Sequence, residues 1–304
     1  MMDTVEHTLP HGITLHCRVA GAPGRPLLLF LHGFPEGAFV WDALAAHFAQ
    51  AAHGGYRCVA PYLRGYAPSS SPADEASYRA QPLVQDLAAL IAAEAGPAGA
   101  AAVVAHDWGG ALAWNLAALH PQLLQRLMIL NAPHPGAFLR ELQHSPAQQQ
   151  ASAYMHFLRR PDAEQLLAED GFRRLFGFFD RPDGSAPDWL TPALRAQYRA
   201  VWSAGLTGAC HYYRASPLAP PRAGDERVHA VQLPPQLLTV ARPALVLWGM
   251  DDPALLPGLL DGLDAWVPRL RVQPVPGASH WIVHEQPDLV QAALAGFLVE
   301  QLPF

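Results

Sequence analysis

"VVAHDWGGALAW", residues 103–114, is the stretch that decides the fold. Val103, Val104 and Ala105 form a short apolar run. His106, Asp107 and Trp108 follow, then Gly109 and Gly110, and then residues that favour a helix. A strand that turns sharply into a helix, with small residues at the turn, lifts one side chain above the end of a sheet. Here the lifted residue is Asp107. A carboxylate is ionised at neutral pH and needs no base before it attacks. It is a poor nucleophile toward an ester or amide carbonyl. It can open a strained epoxide, or displace a halide from a saturated carbon, and it becomes an alkyl ester in doing so. An activated water must then hydrolyse that ester.

Outward from this turn, strands and helices alternate. "PLLLFL" (26–31), "AAVVA" (101–105), "LMIL" (127–130) and "ALVLW" (244–248) are continuous apolar runs. Such runs mark parallel strands buried on both faces. "YRCVAP" (56–61) adds a strand, and the more alternating "ITLHCRVAG" (13–21) reads as an edge strand. Helical segments are expected near 40–51, 82–95, 110–119 and 287–301. The pattern predicts an α/β fold with a mostly parallel, doubly wound sheet. From about 135 to 235 the alternation stops, leaving helices and Pro-rich loops. This predicts a helical cap (135–235) inserted into a core made of residues 1–134 and 236–304, with residues 216–236 as the tether back to the sheet.

Composition narrows the function. The chain has 304 residues, 51% of them hydrophobic and 15% charged, with a mean hydropathy of +0.07. That is enough apolar material for a sizeable core. Its 30 Pro are roughly twice the usual share. Lys is absent, the basic residues are scattered Arg, and the net charge is −6, so no nucleic-acid-binding stripe exists. No apolar run is long enough for a membrane span, and "MMDTVEHTLP" lacks the apolar centre of a signal peptide. Cys17, Cys58 and Cys210 have no metal-ligand spacing and read as buried thiols in a reducing, cytoplasmic setting. No metal or nucleotide motif is present, so no cofactor is expected. The expected partner is a small apolar molecule, and self-association into a homo-oligomer is compatible with the composition.

Two further motifs end on chemistry. In "VLWGMDDP" a strand ends at Trp248, Gly249 turns the chain, and the Trp-Gly-x-x-Asp spacing singles out Asp252 over Asp251, which reads as a turn carboxylate. In "VPGASHWIVHEQP" the last strand ends near Pro274, and His280 lies in the loop before a helix; His284 reads as structural. "LHGFPEG" (31–37) follows a core strand and is compatible with a cis proline at Pro35.

Taken in order, "HGFPE", "LRGY" (63–66), "AHDWGG", "WGMDDP" and "GASHW" resemble an α/β-hydrolase-fold epoxide hydrolase of the soluble type, over nearly the whole chain. Haloalkane and fluoroacetate dehalogenases share this branch with an Asp nucleophile. The resemblance implies the chain order nucleophile, acid, base as Asp107, Asp252, His280. It implies an oxyanion hole from the backbone N–H groups of Phe34 and Trp108. It also implies two cap tyrosines that polarise the epoxide oxygen. In "HSPAQQQASAYMHFLRRP", read as one helix capped by Ser145, Tyr154 shares an apolar stripe with Ala151, Met155 and Leu158 and lies seven residues before Pro161. In "GLTGACHYYRASP", Tyr213 shares a stripe with Leu206, Ala209 and Cys210 and heads the Tyr-Arg pair of the family; Tyr212 is the fallback. Phe34, Trp108 and Trp281 are expected to wall an apolar pocket, which suits an apolar or aryl epoxide.

The dehalogenase alternatives differ at named positions. A haloacid needs an Arg beside the nucleophile, where this chain has Trp108. A haloalkane dehalogenase remains the alternative, because Trp108 could serve as a halide donor while Phe34 offers no side-chain donor. A ligand-binding protein that had lost its chemistry would lack a triad member, and all three are present. Two departures stand out: Ala105 and Ala67 replace glycines usual in the family.

Overall fold

The structure is a computed structural model and describes residues 2–300. The eight strands are β1 (Asp3–Thr8), β2 (Thr14–Ala20), β3 (Leu27–Leu31), β4 (Arg57–Pro61), β5 (Ala100–His106), β6 (Leu127–Leu130), β7 (Ala244–Gly249) and β8 (Leu270–Val275). They form one sheet in the order β1-β2-β4-β3-β5-β6-β7-β8. β1 and β2 pair antiparallel, as do β2 and β4, and every other pair is parallel. The doubly wound α/β reading holds. The edge strands are β1 and β8, however, and β2, expected at an edge, lies inside β1. The polar "DTVEHT" of β1 has only one neighbour and a largely exposed surface, so apolar patterning does not reveal it.

β3, β4, β6 and β7 are buried at every position, as continuous apolar runs require. Helices α1 (Asp42–Phe48), α2 (Ala80–Ala95) and α3 (Asp107–Leu119) connect the early strands. Between β6 and β7 come six helical segments and no named strand: α4 (Pro135–His144), α5 (Pro146–Ala151), α6 (Tyr154–Leu158), α7 (Ala163–Gly177), which is broken by non-helical backbone at residues 169–172, α8 (Pro192–Ser203) and α9 (Thr207–Ala215). The chain closes with α10 (Ile282–Glu285) and α11 (Pro287–Val299). The predicted end of this last helix at residue 301 lies outside the described residues.

The segment "HSPAQQQASAYMHFLRRP" is two helices, not one. Ser145 does cap the first, accepting from the Gln148 N–H at 3.3 Å. The α-helix is interrupted at Ser152 and Ala153, where the backbone bonds tighten to three residues back: Ala153 N to Gln150 O and Met155 N to Ser152 O. The Ser152 hydroxyl accepts from the Gln148 side chain at 2.8 Å. Tyr154 therefore starts a new helix, with Met155 and Leu158 buried on its inner side.

The sheet order also explains where chemistry gathers. In an open α/β sheet the ligand crevice lies beyond the carboxyl ends of the strands, where strand order reverses. β5 is central and borders β3 on one side and β6 on the other. The loops after β3, β5, β7 and β8 carry Phe34, Asp107, Asp252 and His280 to that end.

Candidate active site

Asp107 is the first residue of α3, directly after β5, at φ +49°, in the left-handed region. A residue other than glycine is uncommon there and costs about 1–3 kcal/mol of strain. Its surroundings are cut to fit. A Cβ on Gly33 would lie 2.1 Å from Asp107 Oδ1, and one on Gly109 would lie 2.5 Å from the His32 carbonyl oxygen. Only glycine at both positions lets the two loops close on the carboxylate. The Phe34 N–H then donates to Asp107 Oδ1 at 2.6 Å. The Phe34–Pro35 bond is cis, as its sequence allows. The Ala67–Pro68 bond is also cis.

His280 Nε2 lies 3.7 Å from Asp107 Oδ2, beyond hydrogen-bond reach. Its Nδ1 faces Asp252 Oδ2 at 2.7 Å and donates to it. Asp252 is almost fully buried and accepts three more hydrogen bonds. Oδ1 accepts from the N–H groups of Ala254 (2.8 Å) and Leu255 (2.9 Å), and Oδ2 from Asn131 Nδ2 (2.8 Å). Asn131 follows β6 at φ +38° and also accepts from the Gly249 N–H at 2.8 Å. Burial opposes the Asp252 charge, yet His280 and the backbone donors hold its carboxyl below the usual range. Burial likewise opposes the charged form of His280. The Asp252 charge and hydrogen bond, then Asp107 and Glu36, outweigh it and push the imidazole up to about 9.

Behind His280 lies a second network that sequence reasoning did not assign. His106 Nε2 contacts the His280 carbonyl oxygen at 2.8 Å, and its Nδ1 contacts Glu36 Oε2 at 3.1 Å. A carbonyl only accepts, so Nε2 carries a proton. The contact with Glu36 then holds one proton more than a neutral imidazole and a carboxylate possess between them. Glu36 is fully buried; desolvation opposes its charge, but His106 and His284 hold its carboxyl far below the usual range. Its Oε1 contacts His284 Nε2 at 2.7 Å and accepts from the Tyr198 hydroxyl of α8 at 3.0 Å. His284, read as structural, thus belongs to a charged cluster that ties the segments after β3 and β8 to α8. Trp202 of α8 adds a 2.6 Å bond from Nε1 to the Pro35 carbonyl oxygen. The only sequence signal was Glu36 inside "HGFPE"; nothing local marks Asn131 or Tyr198.

The cavity above Asp107 holds about 210 Å³. Asp107, Trp108, Leu112, Phe138, Tyr154 and Tyr213 are among its lining residues, and no arginine is. Tyr213 packs edge-on against Phe34 (5.3 Å between centroids) and Trp108 (5.1 Å), and its ring centre is 6.1 Å from that of Tyr154. Burial, then Asp107 and Asp252, raise the Tyr154 hydroxyl pKa; burial, then Tyr154 and Asp107, raise that of Tyr213. Both therefore keep their protons at neutral pH. Tyr212 is buried too, but its hydroxyl donates to the Arg64 carbonyl oxygen at 2.9 Å. Phe34 and Trp281 are not among the residues lining this cavity. Phe34 packs on Phe178 and Tyr213, and Trp281 Nε1 donates to the Phe178 carbonyl oxygen at 3.0 Å. Of the three expected wall aromatics, only Trp108 faces it.

A family model for the alpha/beta hydrolase fold matches residues 26–287. The chain belongs to the α/β-hydrolase-fold family. It is 33% identical to the AB hydrolase superfamily protein YfhM of Bacillus subtilis, over 96% of each chain. It is 31% identical to epoxide hydrolase 3 of Xenopus tropicalis, over 95% of this chain and 76% of that one. Among solved structures it is similar to an epoxide hydrolase from metagenomes of hot environments, with 37% identity and a TM-score of 0.86. That match covers 99% of this chain and 100% of the other. No helix among the described residues is long and apolar enough to cross a membrane.

Proposed function

We propose that this hydrolase converts an apolar or aryl epoxide to a vicinal diol through an alkyl ester on Asp107. The observation that carries the reading is the pairing of an Asp at the turn apex with two protonated tyrosines across one cavity. Asp107 Oδ2, the oxygen not held by Phe34, attacks an epoxide carbon. The carbon–oxygen bond of the ring breaks, and the leaving oxygen takes a hydrogen bond, then a proton, from Tyr154 or Tyr213. Oδ1 becomes the ester carbonyl oxygen. His280 next takes a proton from water, whose oxygen attacks the Asp107 carbonyl carbon. The N–H groups of Phe34 and Trp108 hold the oxyanion. Collapse returns the carboxylate and releases the diol, leaving on His280 the proton taken from water, as in the free enzyme.

The charge of Asp107 times the second step. It is one of the charges that keep His280 protonated in the free enzyme. Ester formation removes that charge, so His280 loses proton affinity, gives its proton to the tyrosinate left by ring opening, and is neutral when a base is required. Asp252 still orients the ring. Residues 135–235 serve as the cap that brings both tyrosines over the nucleophile. Three free, buried cysteines suit a reducing, cytoplasmic setting.

Intact-protein mass spectrometry on His280→Gln tests the reading. Small epoxides should leave an adduct of the whole epoxide mass, absent in Asp107→Asn. An alkyl adduct from haloalkanes alone would instead make the protein a haloalkane dehalogenase with Trp108 as halide donor, and both tyrosines packing residues.

A further inference from the structure

Beyond the reacting groups, the wall of the catalytic cavity holds few polar side chains. Tyr78, Tyr212 and Ser216 line it, and each spends its hydroxyl proton on a backbone carbonyl oxygen. The acceptors are Pro72 at 2.9 Å, Arg64 at 2.9 Å and Leu218 at 3.4 Å. Asn115 of α3 lines the cavity too, and it differs. Its Nδ2 donates to the Ala111 carbonyl oxygen at 2.8 Å. A carbonyl oxygen only accepts, so this bond fixes which way the amide is turned. Oδ1 is left with no hydrogen-bond partner among the described residues. It is not one of the sealed, orphaned polar atoms of the core either, so it faces space that water or a ligand can fill. The position on α3 sets the reach. Asp107, Ala111 and Asn115 recur every four residues, share one face of the helix and all line the cavity. Eight residues carry Asn115 about 12 Å beyond Asp107 along the helix axis. Ala111 and Leu112 make the wall between them apolar, and Phe138 and Met155 line the same cavity.

We infer that Asn115 is a recognition subsite at the end of the cavity away from the nucleophile, and that the enzyme takes aryl epoxides carrying a neutral hydrogen-bond donor, a hydroxyl or a carboxamide, on the far side of the ring. The inference rests on the epoxide-hydrolase reading. Asp107 fixes the epoxide end, and the methyl groups of Ala111 and Leu112 cover the ring. In a phenyl glycidyl ether a para hydroxymethyl oxygen lies about 10 Å from the terminal epoxide carbon by ordinary bond lengths. With a hydrogen bond of about 2.8 Å it has a reach comparable with the separation of Asp107 and Asn115. The same group at the ortho position falls well short. Oδ1 accepts from the donor, and the second Nδ2 proton is available to the oxygen of a carboxamide. An anionic end gains nothing there, because Asn115 carries no charge and Asp107 is the one ionised group in the wall.

Paired substrates test the subsite: 4-(hydroxymethyl)phenyl glycidyl ether beside 4-ethylphenyl glycidyl ether, which share a shape and differ by one donor. The hydroxymethyl-to-ethyl ratio of kcat/KM is measured in the wild type and in Asn115→Leu. Dividing the first ratio by the second removes the general cost of desolvating a hydroxyl. The quotient should be about fivefold, the size of one neutral hydrogen bond, and should lie in KM. Leu favours a helix, and a urea melt of the variant reports its fold directly. The wild type alone supplies a second arm: the hydroxymethyl-to-ethyl ratio should be larger for the para pair than for the ortho pair. A quotient near one, or para and ortho ratios that are equal, overturns the inference, while an ester on Asp107 leaves the enzyme reading intact. Should no epoxide be hydrolysed, the enzyme reading fails, and calorimetry with 4-propoxybenzyl alcohol and 4-ethylphenyl propyl ether still decides the subsite. An advantage of the alcohol over the ethyl compound that shrinks in Asn115→Leu supports it; the same difference in both proteins refutes it.

Discussion

Asp252→Asn is the substitution whose consequence the geometry constrains most. Each carboxylate oxygen of Asp252 accepts from two N–H donors: Oδ1 from Ala254 and Leu255, Oδ2 from Asn131 and His280. An amide has one acceptor oxygen. Whichever way it is turned, its NH₂ group faces two donors. If it faces His280, the ring loses the bond that orients it. If it faces the Ala254–Leu255 turn, two buried backbone N–H groups lose their acceptor. Two hydrogen bonds to a charged group are lost in either case, at about 1.5–3 kcal/mol each, or about 3–6 kcal/mol of stability. The activity loss falls on one half-reaction. Asp107 and the Phe34 N–H are untouched, so ester formation should keep most of its rate. Ester hydrolysis needs His280 as base and should fall by about 10²–10⁴-fold. Without the Asp252 charge, burial dominates and the His280 pKa drops from about 9, so the pH dependence of ester hydrolysis moves to lower pH. Stopped-flow single turnover with intact-mass detection should show an epoxide adduct that forms fast and decays slowly. A wild-type steady-state rate with no accumulating adduct would refute this account of Asp252.

Gly33→Ala should abolish adduct formation, because its Cβ would sit 2.1 Å from Asp107 Oδ1; retained burst amplitude in rapid-quench experiments would contradict this. Tyr213→Phe should slow ester formation about 10–100-fold, whereas Tyr212→Phe should cost about 1 kcal/mol of stability and leave the rate within a few-fold. Equal kinetic losses in the two variants would show that the hydroxyls were assigned wrongly. Stability should depend on pH with opposite slopes on either side of about 6.5. His280 has a folded pKa raised to about 9, so its contribution is whole below 6.5 and is lost as pH rises through 9, about 3 kcal/mol in all. His32 is held down to about 4 by burial and stays neutral when folded, so stability also falls as pH drops below 6.5. Urea denaturation at stepped pH measures both limbs, and His280→Gln should flatten only the alkaline one. Tyr198→Phe should lower the melting temperature through the lost bond to Glu36 and change kcat by no more than a few-fold; a hundredfold loss would place Glu36 in the chemistry itself.

The parts of this molecule legible in the sequence are those set by local rules. β3, β5, β6 and β7 are buried on both faces, and burial on both faces writes a continuous apolar run. The apex of the turn, the Gly that ends β7 and the loop after β8 sit at strand ends, so counting from the end of each run reaches Asp107, Asp252 and His280. β1 escapes the same logic because an exposed edge strand needs no apolar pattern. The break at Ser152 escapes it because the i, i+3, i+4 stripe continues across the gap while the backbone does not.

What local rules cannot carry is a polar contact between distant segments. Glu36, His106, Tyr198 and His284 come from four places in the chain and meet in one buried cluster. Each alone is an ordinary residue in an ordinary element. Their meaning lies in contacts that need all four positions at once. The same holds for the two aromatic expectations that the fold redirected. Trp281 is adjacent to His280 in sequence, yet its indole N–H is committed to the Phe178 carbonyl, so it braces the loop after β8 against the end of α7 and leaves the cavity wall to Trp108. Adjacency to a catalytic residue says where a side chain starts. Its hydrogen-bond partner says where it ends, and for Trp281 that partner is 103 residues away.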